Sequence, residues 1–81
     1  MVEETGMNQD FKIGEWVEFS GDRGRNTGVI TEKVTTEIMF KGYVRHASPK
    51  DPQYIIKMDH HLAMQRGSNL RKVKKPKLHI G

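Results

Sequence analysis

The chain has 81 residues, 35% of them apolar, and no cysteine, which limits it to one domain burying about 60% of its unfolded surface. Disulfides and thiolate metal ligands are excluded, and a deep, walled pocket has little material, because each buried large side chain contributes only roughly 1.5–3 kcal/mol against a comparable ordering entropy. The net charge of +4 is uneven: residues 1–65 hold eight Lys/Arg and all ten Asp/Glu, whereas residues 66–81 hold Arg66, Arg71, Lys72, Lys74, Lys75 and Lys77 and no acid.

Residues 1–10 are polar and aperiodic and predict a disordered leader. Residues 12–20 alternate, with Ile13, Val17 and Phe19 on one parity and Lys12, Trp16 and Glu18 on the other, as a half-buried strand does. Residues 21–26 contain Gly21 and Gly24 among polar neighbours and predict a loop. Residues 27–34 are rich in β-branched side chains and predict a second strand with Ile30 in the core. A third strand is expected over residues 35–40, with Ile38 and Phe40 on one face, broken by Lys41-Gly42. Pro49 and Pro52 exclude a helix or a central strand between residues 48 and 52, since proline lacks an N–H donor and biases its predecessor toward extended geometry. Residues 53–58 predict a fourth strand with Tyr54, Ile56 and Met58 on one side, and Tyr54 and Ile56 are expected to join Phe40 in the core. Asp59-His60-His61 turns the chain into a short fifth strand over residues 62–65, and Gly67-Ser68-Asn69 leads into residues 70–73. Short strands linked by glycine and proline turns, with no convincing helix, define an all-β class and suggest a small five-stranded antiparallel barrel.

The order Gly14-Glu15-Trp16-Val17-Glu18-Phe19, Thr27-Gly28-Val29-Ile30, Val34-Thr35 and then the turn-rich run from Lys41 through Arg45-His46-Ala47-Ser48-Pro49-Lys50-Asp51-Pro52-Gln53-Tyr54 to Ile56 resembles the hypervirulence-associated Tudor-like family of small bacterial and fungal domains. The string from Arg45 to Tyr54 is the specific part, while residues 14–30 are shared by many SH3-like barrels, including nucleic-acid-binding ones. The resemblance covers residues 11–73 and implies an SH3-like or Tudor-like barrel, leaving residues 1–10 as leader and 74–81 as a basic tail. It implies little about molecular function, because fold alone does not determine function. The chain departs from the family pattern in having Lys50-Asp51 where two acids precede the second proline, and Met58-Asp59-His60-His61 where an acidic-glycine hairpin is usual.

Function is read from side chains. His60 and His61 are adjacent and point to opposite faces of an extended chain, and His46, His79 and Asp59 lie at unrelated spacings, so no metal is expected. No nucleophile with an adjacent base and no phosphate cradle is present; neither enzymatic activity nor a cofactor is expected. A methylammonium cage needs three or four convergent aromatics, and this chain has one Trp, two Tyr and three Phe, several of which the core requires. Arg23 and Arg25 in the first loop, Lys41 and Arg45 beside the next turn, and Arg71, Lys72, Lys74, Lys75 and Lys77 in the C-terminal stretch are candidate phosphate contacts, with Trp16 and Tyr43 as candidate stacking aromatics. The alternatives are scattered charges on a solvated surface, and a Trp16 packed under the leader or tail. The expected ligand is DNA or RNA, or else a protein bound by an exposed strand edge or aromatic surface. No apolar run reaches the roughly 18 residues that span a bilayer, and the N-terminus has no signal core, so a cytoplasmic monomer or weak homodimer without membrane contact is expected.

Overall fold

A computed structural model describes residues 10–21 and 24–75. The core begins at Phe11, which is 2% exposed, and not at Ile13, which is 67% exposed. The alternation expected from residue 12 fails because residues 12–15 form a turn. Glu15 N–H donates to the Lys12 carbonyl at 3.0 Å, Lys12 N–H donates to Glu15 Oε1 at 2.8 Å, and Gly14 takes φ 95°, a position suited to glycine. Gly14 N–H and the Glu15 carbonyl then pair with the Ile30 carbonyl and N–H at 2.7 and 2.9 Å, which aligns β1 (Trp16–Gly21) antiparallel to β2 (Gly24–Val34). β2 starts three residues before the expected strand, taking up part of the expected loop.

Two further strands, β3 (Ile38–Phe40) and β4 (Tyr43–Arg45), form a separate hairpin around Lys41 and Gly42. Both turn residues have positive φ, 53° and 84°, the signature of a two-residue type I′ connection whose twist suits a hairpin. The chain then runs through β5 (Gln53–Lys57), β6 (Leu62–Arg66), a single 3₁₀ turn at Gly67–Asn69 and the two-residue β7 (Arg71–Lys72). The main sheet has five antiparallel strands in the order β6-β5-β2-β1-β7.

β5 is buried on both faces. Tyr54 and Ile56 pack with Phe11, Val17, Phe19, Ile30 and Leu70, while Ile55 packs with Val34 and Met64 on the other side, under Ile38, Phe40 and Ala47. Phe40 therefore belongs to the second cluster and not with Tyr54 and Ile56 as expected, because the hairpin that carries it folds over the opposite face of β5. A β-bulge at Thr31 lets β2 serve both clusters. Ile30 pairs with Ile56, Thr31 is skipped, and Glu32, Lys33 and Val34 pair with Ile55, Tyr54 and Gln53. The extra residue moves Val34 onto the Ile55 side and sets Lys33 beside Tyr54, and Thr31 Oγ1 anchors it by donating to the Ile55 carbonyl at 3.3 Å.

The expected barrel is not closed. Among the described residues no ladder joins β6 to β7. The strand expected over residues 35–40 pairs instead with β4, and its hairpin occupies the outer edge of β6 through side chains. Lys41 Nζ donates to the Leu62 carbonyl at 2.7 Å, and an Arg45 guanidinium nitrogen donates to the Met64 carbonyl at 3.0 Å and to Gln53 Oε1 at 3.4 Å. Gln53, 2% exposed, donates in turn to the His46 carbonyl at 2.7 Å. These cations satisfy edge carbonyls that would otherwise template pairing with another chain.

Candidate nucleic-acid interface

Alternation on β1 sends Val17 and Phe19 into the core and turns Trp16, Glu18 and Ser20 outward. The register places Arg25 opposite Ser20, Val29 opposite Trp16, and Arg71 opposite Glu18. Arg25 and Arg71, remote in sequence, thus converge over one carboxylate: Arg25 Nη1 lies 3.7 Å and Arg71 Nε 3.4 Å from Glu18 Oε2. The arginine side chains are 70% and 73% exposed and that of Glu18 only 15%. The three form, with Phe19, Ser20 and Asn69, an open concavity of about 150 Å³. Trp16, half-buried, stands on the same outer face two residues from Glu18, and its carbonyl accepts from Val73 N–H at 3.0 Å, holding the end of β7 alongside β1.

The other candidates are dispersed. Lys72 pairs with Val17 and lies on the opposite face of β7 from Arg71, with Nζ 3.3 Å from Glu15 Oε2 and 5.9 Å from the centre of the Phe11 ring. Glu15 sits below the usual carboxylate range, chiefly because the Lys12 backbone N–H donates to it and secondarily because of Lys72. Lys74 and Lys75 follow, exposed. Lys41 and Arg45 lie with Tyr43 on the hairpin over β6, at the sheet edge opposite β7, and both cations are engaged with β6 carbonyls. Tyr43 is 72% exposed. Arg23 and Lys77 lie outside the described residues, as does most of the segment read as a leader. Asp10, its last residue, accepts from Lys33 Nζ at 2.7 Å and from the Tyr54 hydroxyl at 3.3 Å.

Glu18 was legible as an outward residue of β1, but its place between two arginines depends on β7, whose two residues carry no periodic signal. Of the aromatics, Phe11, Phe19 and Tyr54 are buried and Phe40 is half-buried, while Trp16 and Tyr43 stand on separate elements. They do not converge into a cage. Among the described residues no group of three or more His, Cys, Asp or Glu could hold a metal ion, and no helix is long and apolar enough to cross a membrane.

An antiparallel all-β module of this size, with a hairpin folded over one edge and a charged outer face at the other, falls within the class of small Tudor-type domains. The family described as the hypervirulence-associated proteins TUDOR domain matches residues 14–70, more than half of the chain, and the chain belongs to it. Neither the curated proteins nor the solved structures contain a match to it.

Proposed function

We propose that the chain is a non-enzymatic binding module that contacts the phosphate backbone of single-stranded nucleic acid through the outer face of β1, β2 and β7. The observation that carries this reading is the convergence of Arg25 and Arg71 on that face beside Trp16, with Lys74 and Lys75 continuing from the same edge. Arginines there contact phosphates without reading sequence, and an indole supplies a stacking surface for an unpaired base.

The test is a backbone amide NMR titration with a short oligothymidylate across a salt series. Shifts are expected at Trp16, Ser20, Arg25 and Arg71, with log affinity falling linearly against log salt. Arg25→Ala with Arg71→Ala should reduce the slope by about 0.7 for each phosphate that is no longer neutralised. No shifts at low salt, or undiminished affinity in the double variant, would defeat the reading.

A second reading rests on the hairpin. Met39 and Val44 are cross-strand partners on its outer face, 66% and 48% exposed, beside Tyr43, and exposed apolar groups of this kind suit a protein partner. Pull-down from extract with and without nuclease separates the two readings. Partners retained in full after nuclease treatment favour the hairpin as a protein-binding adaptor surface.

A further inference from the structure

Glu18 is the least exposed charged group of the Arg25–Glu18–Arg71 cluster, and it faces the arginines from beneath, in the floor of the concavity. It meets Arg71 through Nε and Arg25 through Nη1, and among the described residues the remaining guanidinium nitrogens have no partner. Two guanidinium charges less one carboxylate leave a single positive charge at the mouth of the concavity. That matches one phosphodiester, which carries one negative charge, and is a poor match to a phosphomonoester dianion.

We propose that Glu18 is a built-in counter-anion that limits affinity for single-stranded nucleic acid. It holds the two arginines in place through their inner nitrogens and leaves their outer ones for a phosphodiester, while its own charge opposes the incoming phosphate. Binding at this face is therefore weak, reversible and tuned by Glu18, and the carboxylate sets the preference for a singly charged backbone group. This inference rests on the nucleic-acid reading above.

The experiment compares the full chain with Glu18→Gln, which keeps the shape and removes the charge, and with Glu18→Ala as a second variant in case the amide repacks. Each is titrated with the same oligothymidylate, with poly-glutamate and with inorganic phosphate, and amide spectra report the fold. Removing one unit charge about 7 Å from the ligand, across the guanidinium groups, should raise oligonucleotide affinity on the order of threefold at low salt, and the gain should shrink as salt rises. Inorganic phosphate should show the larger relative gain, because the dianion is opposed more strongly by Glu18. If the wild-type chain binds the oligonucleotide and both folded variants bind it equally or more weakly, Glu18 only positions the arginines and the inference is overturned, while the nucleic-acid reading survives. If no protein binds the oligonucleotide at low salt, that reading falls first and the inference with it. Binding of poly-glutamate in preference to the oligonucleotide overturns both in favour of an acidic protein ligand.

Discussion

The Tyr54 hydroxyl accepts from the Phe11 N–H at 3.3 Å and donates to Asp10, while its ring meets Phe11 edge-on with centroids 5.4 Å apart. One side chain thus satisfies a buried backbone donor and orients the aromatic that completes the first cluster. Tyr54→Phe leaves the Phe11 N–H unpaired and should cost about 1–3 kcal/mol; a urea midpoint equal to wild type would show that water serves the amide as well. Gly28 is a residue of the same importance with no side chain at all. A Cβ there would stand 2.6 Å from Ile56 Cγ2 and 2.6 Å from the Lys57 carbonyl oxygen, and a backbone atom cannot swing aside. Gly28→Ala should destabilise by about 3 kcal/mol, the upper end of overpacking costs, measured by the same unfolding curves. The inward parity of Val17, Phe19, Tyr54 and Ile56 was legible because each stands in an alternating run. Phe11 was not, because it is a single aromatic at the end of a polar, aperiodic stretch, and its burial depends on Tyr54, which lies 43 positions away.

At the scale of elements, the bulge in β2 decides which side chains each cluster receives. A strictly alternating reading of residues 27–34 puts Ile30 and Val34 on one face, and only the skipped Thr31 separates them onto two. This leads to an asymmetric pair of outcomes. Deleting Thr31 straightens the ladder yet keeps Val34 on the Ile55 side, so the variant should fold with a modest loss of stability. Inserting alanine between Glu32 and Lys33 turns Lys33 away from Tyr54 and Val34 out of the second cluster, and should abolish cooperative unfolding. Equal damage from both changes would mean that the bulge does not set the faces. The hairpin was half legible for a similar reason. Lys41-Gly42 is readable as a break, but a lysine in the left-handed region at φ 53° is uncommon outside such turns, and the second strand it opens is only three residues long. What secures β3 and β4 is their tertiary anchoring to β6. Arg45→Ala would leave the buried Gln53 Oε1 without its donor and uncap the Met64 carbonyl, at a cost of about 1–3 kcal/mol. An exposed β6 edge should also make the variant aggregate sooner, which light scattering at a matched fraction unfolded would detect.

Across the whole molecule, the charge asymmetry legible in the sequence is rearranged by the fold: Arg71 and Lys72 are neighbours in β7, yet one faces Glu18 and the other Glu15. Composition showed that cations crowd the C-terminal stretch, but strand alternation sorts them between two faces, and that sorting follows from the β1–β7 register. Asp10 and Glu15 set the response to acid. Asp10 lies below its ordinary value of 3.8, first because Lys33 donates a hydrogen bond to it, and Glu15 lies below its ordinary value of 4.5, first because of the Lys12 backbone N–H. Groups depressed in the folded state contribute stability that is present above their unfolded values and lost as pH falls through their folded ones. Lys33 is raised above 10.5, chiefly by its hydrogen bond to Asp10, and burial pushes the Tyr54 hydroxyl above 10.0. Their contributions are fully present below those values and lost as pH rises past the folded ones. The urea midpoint should therefore be flat from about pH 5 to 9 and fall on both sides. Asp10→Asn combined with Glu15→Gln should lower the plateau and flatten the acid limb, since neither substituted side chain titrates. An acid limb as steep in the double variant as in the wild type would place the acid-sensitive contacts elsewhere.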